Sequence, residues 1–242
     1  MWWGKFLPFL MLTACAGTVK MSDDFATVTV NTSNYDIFTY QKITDKTSPI
    51  HIYIEGDGRA FNGRGRPTLN PTPRGDFVRR LAVRDGASNV VYMARPCQYV
   101  ISAGCDVTDW THGRFSHKVI DSMTSAVKQV AGNRPVVLIG YSGGAMISGL
   151  IVQNNPDLNI KKWITIAGVL NHSDWTKYFG DAPLYDSLNM SKLPNINQLH
   201  YIADGDTTVP NMLSIKWTGG KNLIIVPNAS HSEFSDLELS FD

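Results

Sequence analysis

The segment Gly140-Tyr-Ser-Gly-Gly144 places a serine between glycines, directly after the apolar run 135–139 and before a helix-compatible stretch, 145–153. A serine hydroxyl is a weak nucleophile until a neighbouring base takes its proton, so its position decides its chemistry. On a sharp strand-to-helix turn, Ser142 would stand above a sheet in strained backbone geometry, with glycines on either side allowing strand and helix to approach. The pattern predicts a nucleophile at Ser142; an unreactive Gly/Ser turn is the alternative.

A serine nucleophile needs a base and an acid, and the chain offers several. Asp204 and Asp206 both follow the apolar segment 198–203. The chain has six histidines. Two of them, His51 and His200, lie at or near the starts of predicted strands, which is the wrong end of a parallel sheet for a site. His231 follows the last apolar segment, in Pro227-Asn-Ala-Ser-His231.

The elements that must position these residues alternate along the chain. Period-two alternation near 26–30 and 37–40 predicts two early antiparallel strands. Further strands are predicted by the apolar segments 50–54, 89–93, 135–139, 162–167, 198–203 and 222–226. Helices are predicted at 77–84, 116–131 and 145–153. Strands that alternate with helices at this spacing predict a mainly parallel sheet covered on both faces.

Four segments together resemble the α/β-hydrolase superfamily. They are Tyr53-Ile-Glu-Gly-Asp-Gly58, Ala94-Arg-Pro-Cys-Gln-Tyr99, Gly140-Tyr-Ser-Gly-Gly144 and Ser187-Leu-Asn189, and they look like an exported bacterial group within it. The resemblance implies an α/β-hydrolase fold, with a mostly parallel central sheet of about eight strands flanked by helices. Residues 168–197 leave room for a small cap or none.

The resemblance also implies a triad in the chain order serine, acid, histidine. Asp206, four residues before Pro210, matches the superfamily's Asp-x-x-Val-Pro pattern, whereas Asp204 is placed to make the turn through Gly205. The remaining histidines precede the acid, against the expected order: His112, His117 and His172. The expected catalytic residues are therefore Ser142, Asp206 and His231.

Two backbone amides are expected to bind the oxyanion. The amide of Gly143, next after the nucleophile, is one candidate. The segment Glu55-Gly-Asp-Gly58 stands where many members of the superfamily have His-Gly-x, which implies the amide of Asp57 as the second donor, with Gly58 as the alternative. A dinucleotide-binding interpretation of these glycines fails because position 61 is Phe and no helix follows.

Arg59, Arg64 and Arg66 lie close by, in a loop rich in glycine and proline over 59–75. They either bind an anionic group of the substrate or are simply solvated.

The N-terminus reads as an export signal. A single Lys5 precedes the short apolar run 6–14, which is typical of a secretory signal and too short to remain as a membrane span. Leu-Thr-Ala before Cys15 resembles the bacterial lipobox, which implies lipidation of Cys15 with fatty acyl chains such as palmitate. Ala16 after it favours the periplasmic face of an outer membrane. An ordinary cleaved signal with an incidental cysteine is the alternative.

These observations divide the chain into a signal peptide (1–14), a lipidated tether (15–24) and an α/β-hydrolase domain (25–242). Two cysteines, Cys97 and Cys105, remain in a compartment where thiols oxidise, so we expect a disulfide between them. Free thiols, or zinc bound together with His112 and His117, are the alternatives. The site itself is expected to need no metal and no cofactor.

Composition limits the partners. The 242 residues are 43% hydrophobic and carry 22 basic and 21 acidic side chains, which fits a globular protein and gives no basic surplus for nucleic acid. We expect a small-molecule or lipid-like ester substrate, and membrane contact only through the N-terminal lipid. The sequence thus predicts a serine hydrolase that cleaves carboxylic esters. A catalytically silent binding lipoprotein and an acyltransferase with the same triad are the alternatives.

Overall fold

The computed structural model describes residues 22–235 and 237–241. The predicted signal peptide, Cys15 and most of the tether lie outside the described residues. Eight strands form one sheet in the described part of the chain. They are β1 (Ala26–Asn31), β2 (Asp36–Ile43), β3 (Ile50–Ile54), β4 (Asn89–Met93), β5 (Val136–Tyr141), β6 (Ile160–Ile166), β7 (Gln198–Ala203) and β8 (Leu223–Val226).

The strand order across the sheet is β1-β2-β4-β3-β5-β6-β7-β8. Strand β2 runs antiparallel to both β1 and β4, and every pair from β4 to β8 is parallel. The prediction of a mostly parallel sheet with two early antiparallel strands is therefore confirmed. Because the carboxyl ends of parallel strands meet at one edge, the loops after β3, β5 and β7 converge there.

Five α-helices connect the strands of the described region: α1 (Phe77–Arg84), α2 (His117–Ala131), α3 (Gly143–Asn154), α4 (His172–Phe179) and α5 (Asn211–Thr218). Every residue of β3 and β4 is buried, as expected for strands covered on both faces. Ser116 caps α2 by accepting a hydrogen bond from the Val119 amide. Helix α3 begins at Gly143, two residues before the predicted start, because the sharp turn is completed at Ser142 itself.

Between β6 and β7 the chain forms α4 and otherwise only turns, so no large lid covers the sheet edge. Ser187 and Asn189 hold this region in place. Ser187 accepts a hydrogen bond from the Phe115 amide at 3.1 Å, and the Asn189 side chain accepts one from the His172 amide at 3.2 Å. The expectation of a small cap or none is met.

Cys97 and Cys105 form a disulfide, which confirms that prediction and leaves neither thiol for zinc. The His112 ring nitrogen Nδ1 instead lies 2.8 Å from an oxygen of the Asp186 carboxylate. Within the described residues, no helix is both long and apolar enough to cross a bilayer.

Candidate active site

Ser142 lies on the turn between β5 and α3 with a positive φ of 51° and a ψ of −121°. This conformation is uncommon for a residue with a side chain and is typical of functional turns. The turn is held by the Ser142 amide, which donates to the Ile166 carbonyl at 3.0 Å. The packing around it requires glycine, since a Cβ on Gly144 would lie 2.5 Å from the carbonyl oxygens of Ile54 and Glu55.

Gly56, on the loop after β3, approaches the nucleophile from the other side. A Cβ at position 56 would lie 3.1 Å from the Ser142 Cβ and 3.1 Å from the Tyr141 ring. The absence of a side chain at Gly56 therefore lets this loop close against the nucleophile turn.

The structure brings Ser142, His231 and Asp206 together in a hydrogen-bonded row. The distance from Ser142 Oγ to His231 Nε2 is 3.0 Å, and the distance from His231 Nδ1 to Asp206 Oδ2 is 2.9 Å. With the imidazole proton on Nδ1, its N–H donates to the carboxylate and Nε2 accepts from the serine hydroxyl. This tautomer is the one in which a histidine can remove a proton from serine.

The Asp206 carboxylate is buried, with only 7% of the residue exposed, and both of its oxygens are occupied. Oδ1 accepts hydrogen bonds from the amides of Thr208 and Val209, each at 2.8 Å, while Oδ2 accepts from His231. The two amides fix the carboxylate in the turn that leads to Pro210. A carboxylate held this way is oriented before any substrate arrives.

Tyr141 contacts His231 through both its hydroxyl group and its ring. Its hydroxyl donates to the His231 carbonyl at 3.1 Å, and the two rings lie 5.2 Å apart. Burial raises the pKa of the Tyr141 phenol, so it stays a neutral donor. Tyr141, the last residue of β5, therefore ties the loop that carries His231 to the strand end that precedes Ser142.

The two expected oxyanion donors, Asp57 and Gly143, also lie side by side. Gly143 is the first residue of α3, so its amide belongs to the first turn and has no partner within the helix. The Asp57 carboxylate is packed against Gly143 so closely that a Cβ at position 143 would collide with Oδ1. The structure thus places both residues beside Ser142, while their role as donors stays a prediction.

Two arginines hold the Asp57 carboxylate. Arg95 contacts Oδ1 and Arg114 contacts Oδ2, and both guanidiniums are almost fully buried. Burial disfavours the charge on Asp57, but the guanidiniums of Arg114 and Arg95 outweigh it and hold the pKa of this carboxyl below its usual value. The two guanidiniums therefore fix the Asp57 carboxylate in its ionised form beside the nucleophile turn.

Glu55 and Gln98 fix the loop after β3 through hydrogen bonds to Gly56. Glu55 accepts hydrogen bonds from the Gly56 amide and the Tyr92 hydroxyl, each at 2.9 Å, and burial raises the pKa of its carboxyl. Gln98 donates to the Gly56 carbonyl at 2.9 Å and accepts from the Arg95 amide at 3.1 Å. The segments 53–58 and 94–99 are therefore one interlocked structure.

A cavity of about 500 Å³ opens at Ser142 and His231. Its wall is largely apolar, with Phe61, Phe77 and Trp175 as the large side chains. Arg59 and Arg74 also line it, whereas Arg64 and Arg66 do not.

Two of the other histidines have structural partners within the fold. His51 contacts Asp85 at 2.7 Å, and His200 contacts the Thr165 hydroxyl at 2.8 Å. Within the described residues, no group of three or more His, Cys, Asp or Glu side chains is arranged to hold a metal ion.

Five residues that contact the site or line its cavity were not predicted as site residues from the sequence. They are Tyr141, Arg74, Arg95, Gln98 and Arg114. For three of them a signal existed, because Tyr141 is part of the serine motif and Arg95 and Gln98 belong to a quoted segment. Arg114 and Arg74 carried none, since each reaches the site only through the way its loop is folded.

The sequence matches no family model, and no curated protein matches it. Solved structures do resemble the fold. An α/β serine hydrolase without a lid from Xanthomonas campestris is 15% identical, with a TM-score of 0.53 over 86% of each chain. Est1E from Butyrivibrio proteoclasticus is 11% identical, with a TM-score of 0.59 over 86% of this chain and 91% of that one. An α/β serine hydrolase homologue from Coxiella burnetii is 14% identical, with a TM-score of 0.52 over 89% and 92%.

These likenesses, together with the strand order, establish the fold. The chain has the α/β-hydrolase fold, with an eight-stranded, mostly parallel sheet and flanking helices.

Proposed function

We propose that the protein is a serine hydrolase that cleaves carboxylic esters through an acyl-Ser142 intermediate. The observation that carries this proposal is the row Ser142–His231–Asp206, with distances of 3.0 and 2.9 Å, of which Ser142 and His231 line a cavity. The fold supports it, since two of the similar structures are described as α/β serine hydrolases or their homologues.

In the first half of the reaction, Ser142 Oγ attacks the ester carbonyl carbon while its proton passes to His231 Nε2. The carbonyl oxygen becomes the oxyanion, which the amides of Gly143 and Asp57 would stabilise; removing one such donor costs about 10²–10³-fold in kcat. The tetrahedral intermediate then collapses, the bond to the alcohol oxygen breaks, and His231 returns the proton to the departing alcohol.

In the second half, water attacks the acyl carbon and gives a proton to His231. The new intermediate collapses, Ser142 leaves with that proton, and the free acid is released. Throughout, Asp206 keeps its charge and stabilises the imidazolium that forms twice in each cycle. A base positioned as His231 contributes about 10²–10⁴-fold to the rate.

The test is labelling by a fluorophosphonate probe, combined with a panel of nitrophenyl esters of increasing acyl length. We expect the unaltered protein to be labelled and active, and Ser142→Ala to lose both properties. Labelling that persists in Ser142→Ala would exclude this serine as the nucleophile. Failure of every probe and ester with the unaltered protein would favour a silent binding protein, and faster acyl transfer to an added alcohol than to water would favour an acyltransferase.

The location is a second part of the proposal. We propose that the protein is exported, lipidated at Cys15 and held on the periplasmic face of an outer membrane. The disulfide between Cys97 and Cys105 supports export, because such bonds persist in oxidising compartments. Labelled palmitate should be incorporated by cells that make the unaltered chain and not by cells that make Cys15→Ser. Acylation of the Cys15→Ser protein would contradict the proposal.

A further inference from the structure

The loop that follows β3 is folded back on itself. The Arg59 amide donates to the Pro71 carbonyl at 2.8 Å, and the Thr68 amide donates to the Ala60 carbonyl at 2.9 Å. Trp110, which is not part of this loop, anchors it, because the indole N–H donates to the Thr68 carbonyl at 3.1 Å. These bonds bring the two ends of the loop, and with them Arg59 and Arg74, to the same edge of the sheet.

Arg59 and Arg74 both line the cavity that contains Ser142. Both also line a neighbouring cleft of about 650 Å³, which shares Phe61 with the first cavity. The lining of this cleft, all of it from described residues, includes the two arginines and no Asp or Glu. The catalytic cavity therefore continues into a cleft whose charged groups are all positive.

The carboxylates of the catalytic cavity already have partners. Asp57 is bound by Arg95 and Arg114, and Glu55 accepts from Tyr92 and from a backbone amide. Asp206, just behind the wall, is bound to His231.

The two arginines of the cleft, in contrast, lack such a partner. Among residues 22–235 and 237–241, neither Arg59 nor Arg74 forms an ion pair with an acidic side chain. The Nε atom of Arg59 is buried and has no hydrogen-bond acceptor among those residues. Arg59 and Arg74 therefore line the cavity and the cleft with no described acidic side chain to neutralise them.

The geometry points to an anion-binding subsite formed by Arg59 and Arg74, which selects esters that carry a carboxylate or phosphate on the acyl or the alcohol portion. This inference rests on the proposed esterase function and names its substrate class. A guanidinium binds such groups through paired charge-assisted hydrogen bonds, and Phe61 on the shared wall offers an apolar surface for the carbons between the ester and the anion.

Two matched substrate pairs test the inference. Nitrophenyl hemiglutarate is compared with nitrophenyl valerate for the acyl side, and 3-carboxyphenyl butyrate with 3-methylphenyl butyrate for the alcohol side. We expect kcat/KM to favour the anionic member of at least one pair by about tenfold or more, and this ratio to fall as salt is raised. Arg59→Gln and Arg74→Gln should bring the ratio towards one, while Arg64→Gln, on the same loop but outside both cavities, should keep it.

Binding to the Ser142→Ala protein separates this inference from the proposed function. Calorimetry with the same four compounds should show tighter binding of an anionic member, and adding Arg59→Gln to Ser142→Ala should remove the difference. If the anionic compound binds selectively but no ester is cleaved and no probe reacts, the subsite stands and the esterase proposal fails. If esters are cleaved but both pairs give ratios near one, or the preference survives in both arginine variants, the subsite is wrong.

Discussion

Asp204 and Asp206 are separated by a single residue, yet it is Asp206 whose carboxylate binds His231, at 2.9 Å from Nδ1. Asp204 turns the other way and accepts hydrogen bonds from the amides of Asn228 and Ala229, at 3.0 and 3.2 Å. One carboxylate therefore orients the imidazole, and the other shapes the turn from which the histidine extends.

This division of roles gives the first prediction. Asp206→Asn should lower kcat on the order of 10⁴-fold, because a neutral amide cannot stabilise the imidazolium and does not enforce the productive tautomer. Asp204→Asn is the matched control: its amide oxygen can still accept from the backbone, so kcat should change by less than about tenfold. Steady-state kinetics on one nitrophenyl ester measures both. Equal losses in the two variants would contradict the assignment of Asp206 as the acid.

The second prediction concerns the nucleophile turn. Gly144→Ala should destabilise the protein by about 3 kcal/mol or more, because the new Cβ would lie 2.5 Å from two backbone carbonyl oxygens that cannot move aside cheaply. Gly86→Ala is the control, since no atom lies within 4 Å of a Cβ there. The free energy of unfolding in urea should change by less than about 1 kcal/mol in Gly86→Ala. If Gly144→Ala left the free energy of unfolding unchanged, β3 and α3 would have to be less closely packed than described.

The third prediction concerns the disulfide. The bond closes a loop across a sequence separation of 8, so its removal should lower the free energy of unfolding by about 2.5 kcal/mol in the chain-entropy model. The loop also contains Gln98, which holds the Gly56 carbonyl, so kcat should fall as well. The double variant Cys97→Ser/Cys105→Ser is compared with the unaltered protein in urea and in the ester assay. A double variant of unchanged stability and rate would refute the prediction.

The fourth prediction concerns acid stability. Burial lowers the pKa of His200 from 6.5 to about 4, so the unfolded chain takes up a proton on this ring at a pH where the folded chain does not. The stabilising contribution of neutral His200 is present above pH 6.5 and is lost as the pH falls from about 6.5 to 4, for a total of about 3 kcal/mol.

Replacing this histidine tests the effect. Between pH 7 and 4.5, the free energy of unfolding of His200→Gln should fall by about 2–3 kcal/mol less than that of the unaltered protein. His117→Gln, at an exposed position, should retain the full pH-dependent loss. Parallel pH curves for His200→Gln and the unaltered protein would rule out His200 as the source.

Periodicity could locate the strand ends at which the three side chains of the row lie, and the resemblance to the superfamily favoured Asp206 over Asp204 and selected His231. Ser142, Asp206 and His231 follow β5, β7 and β8, and parallel strands bring these ends to one edge of a sheet. The mainly parallel sheet and the extent of α2 were predictable as well, since burial leaves a periodic pattern of apolar residues. The order of the strands across the sheet was not predicted.

Contacts between loops were not predictable in this way. Arg114 reaches Asp57 across 57 positions of the chain, and nothing in the spacing of the two residues marks them as partners. Arg74 meets Arg59 in one cavity only because the intervening loop doubles back through the bond from the Arg59 amide to Pro71. Such contacts depend on tertiary geometry rather than on periodicity, so one sequence alone carries no signal for them.

The contact between Asp57 and Gly143 has a consequence for engineering. Any side chain introduced at 143 would have to displace a carboxylate that two arginines anchor, so single substitutions there should nearly always abolish function. A smaller side chain at position 57 would free the necessary volume, but it would also remove the carboxylate that both guanidiniums bind. Mutant libraries intended to broaden the substrate range should therefore vary positions 57, 95, 114 and 143 together rather than one at a time.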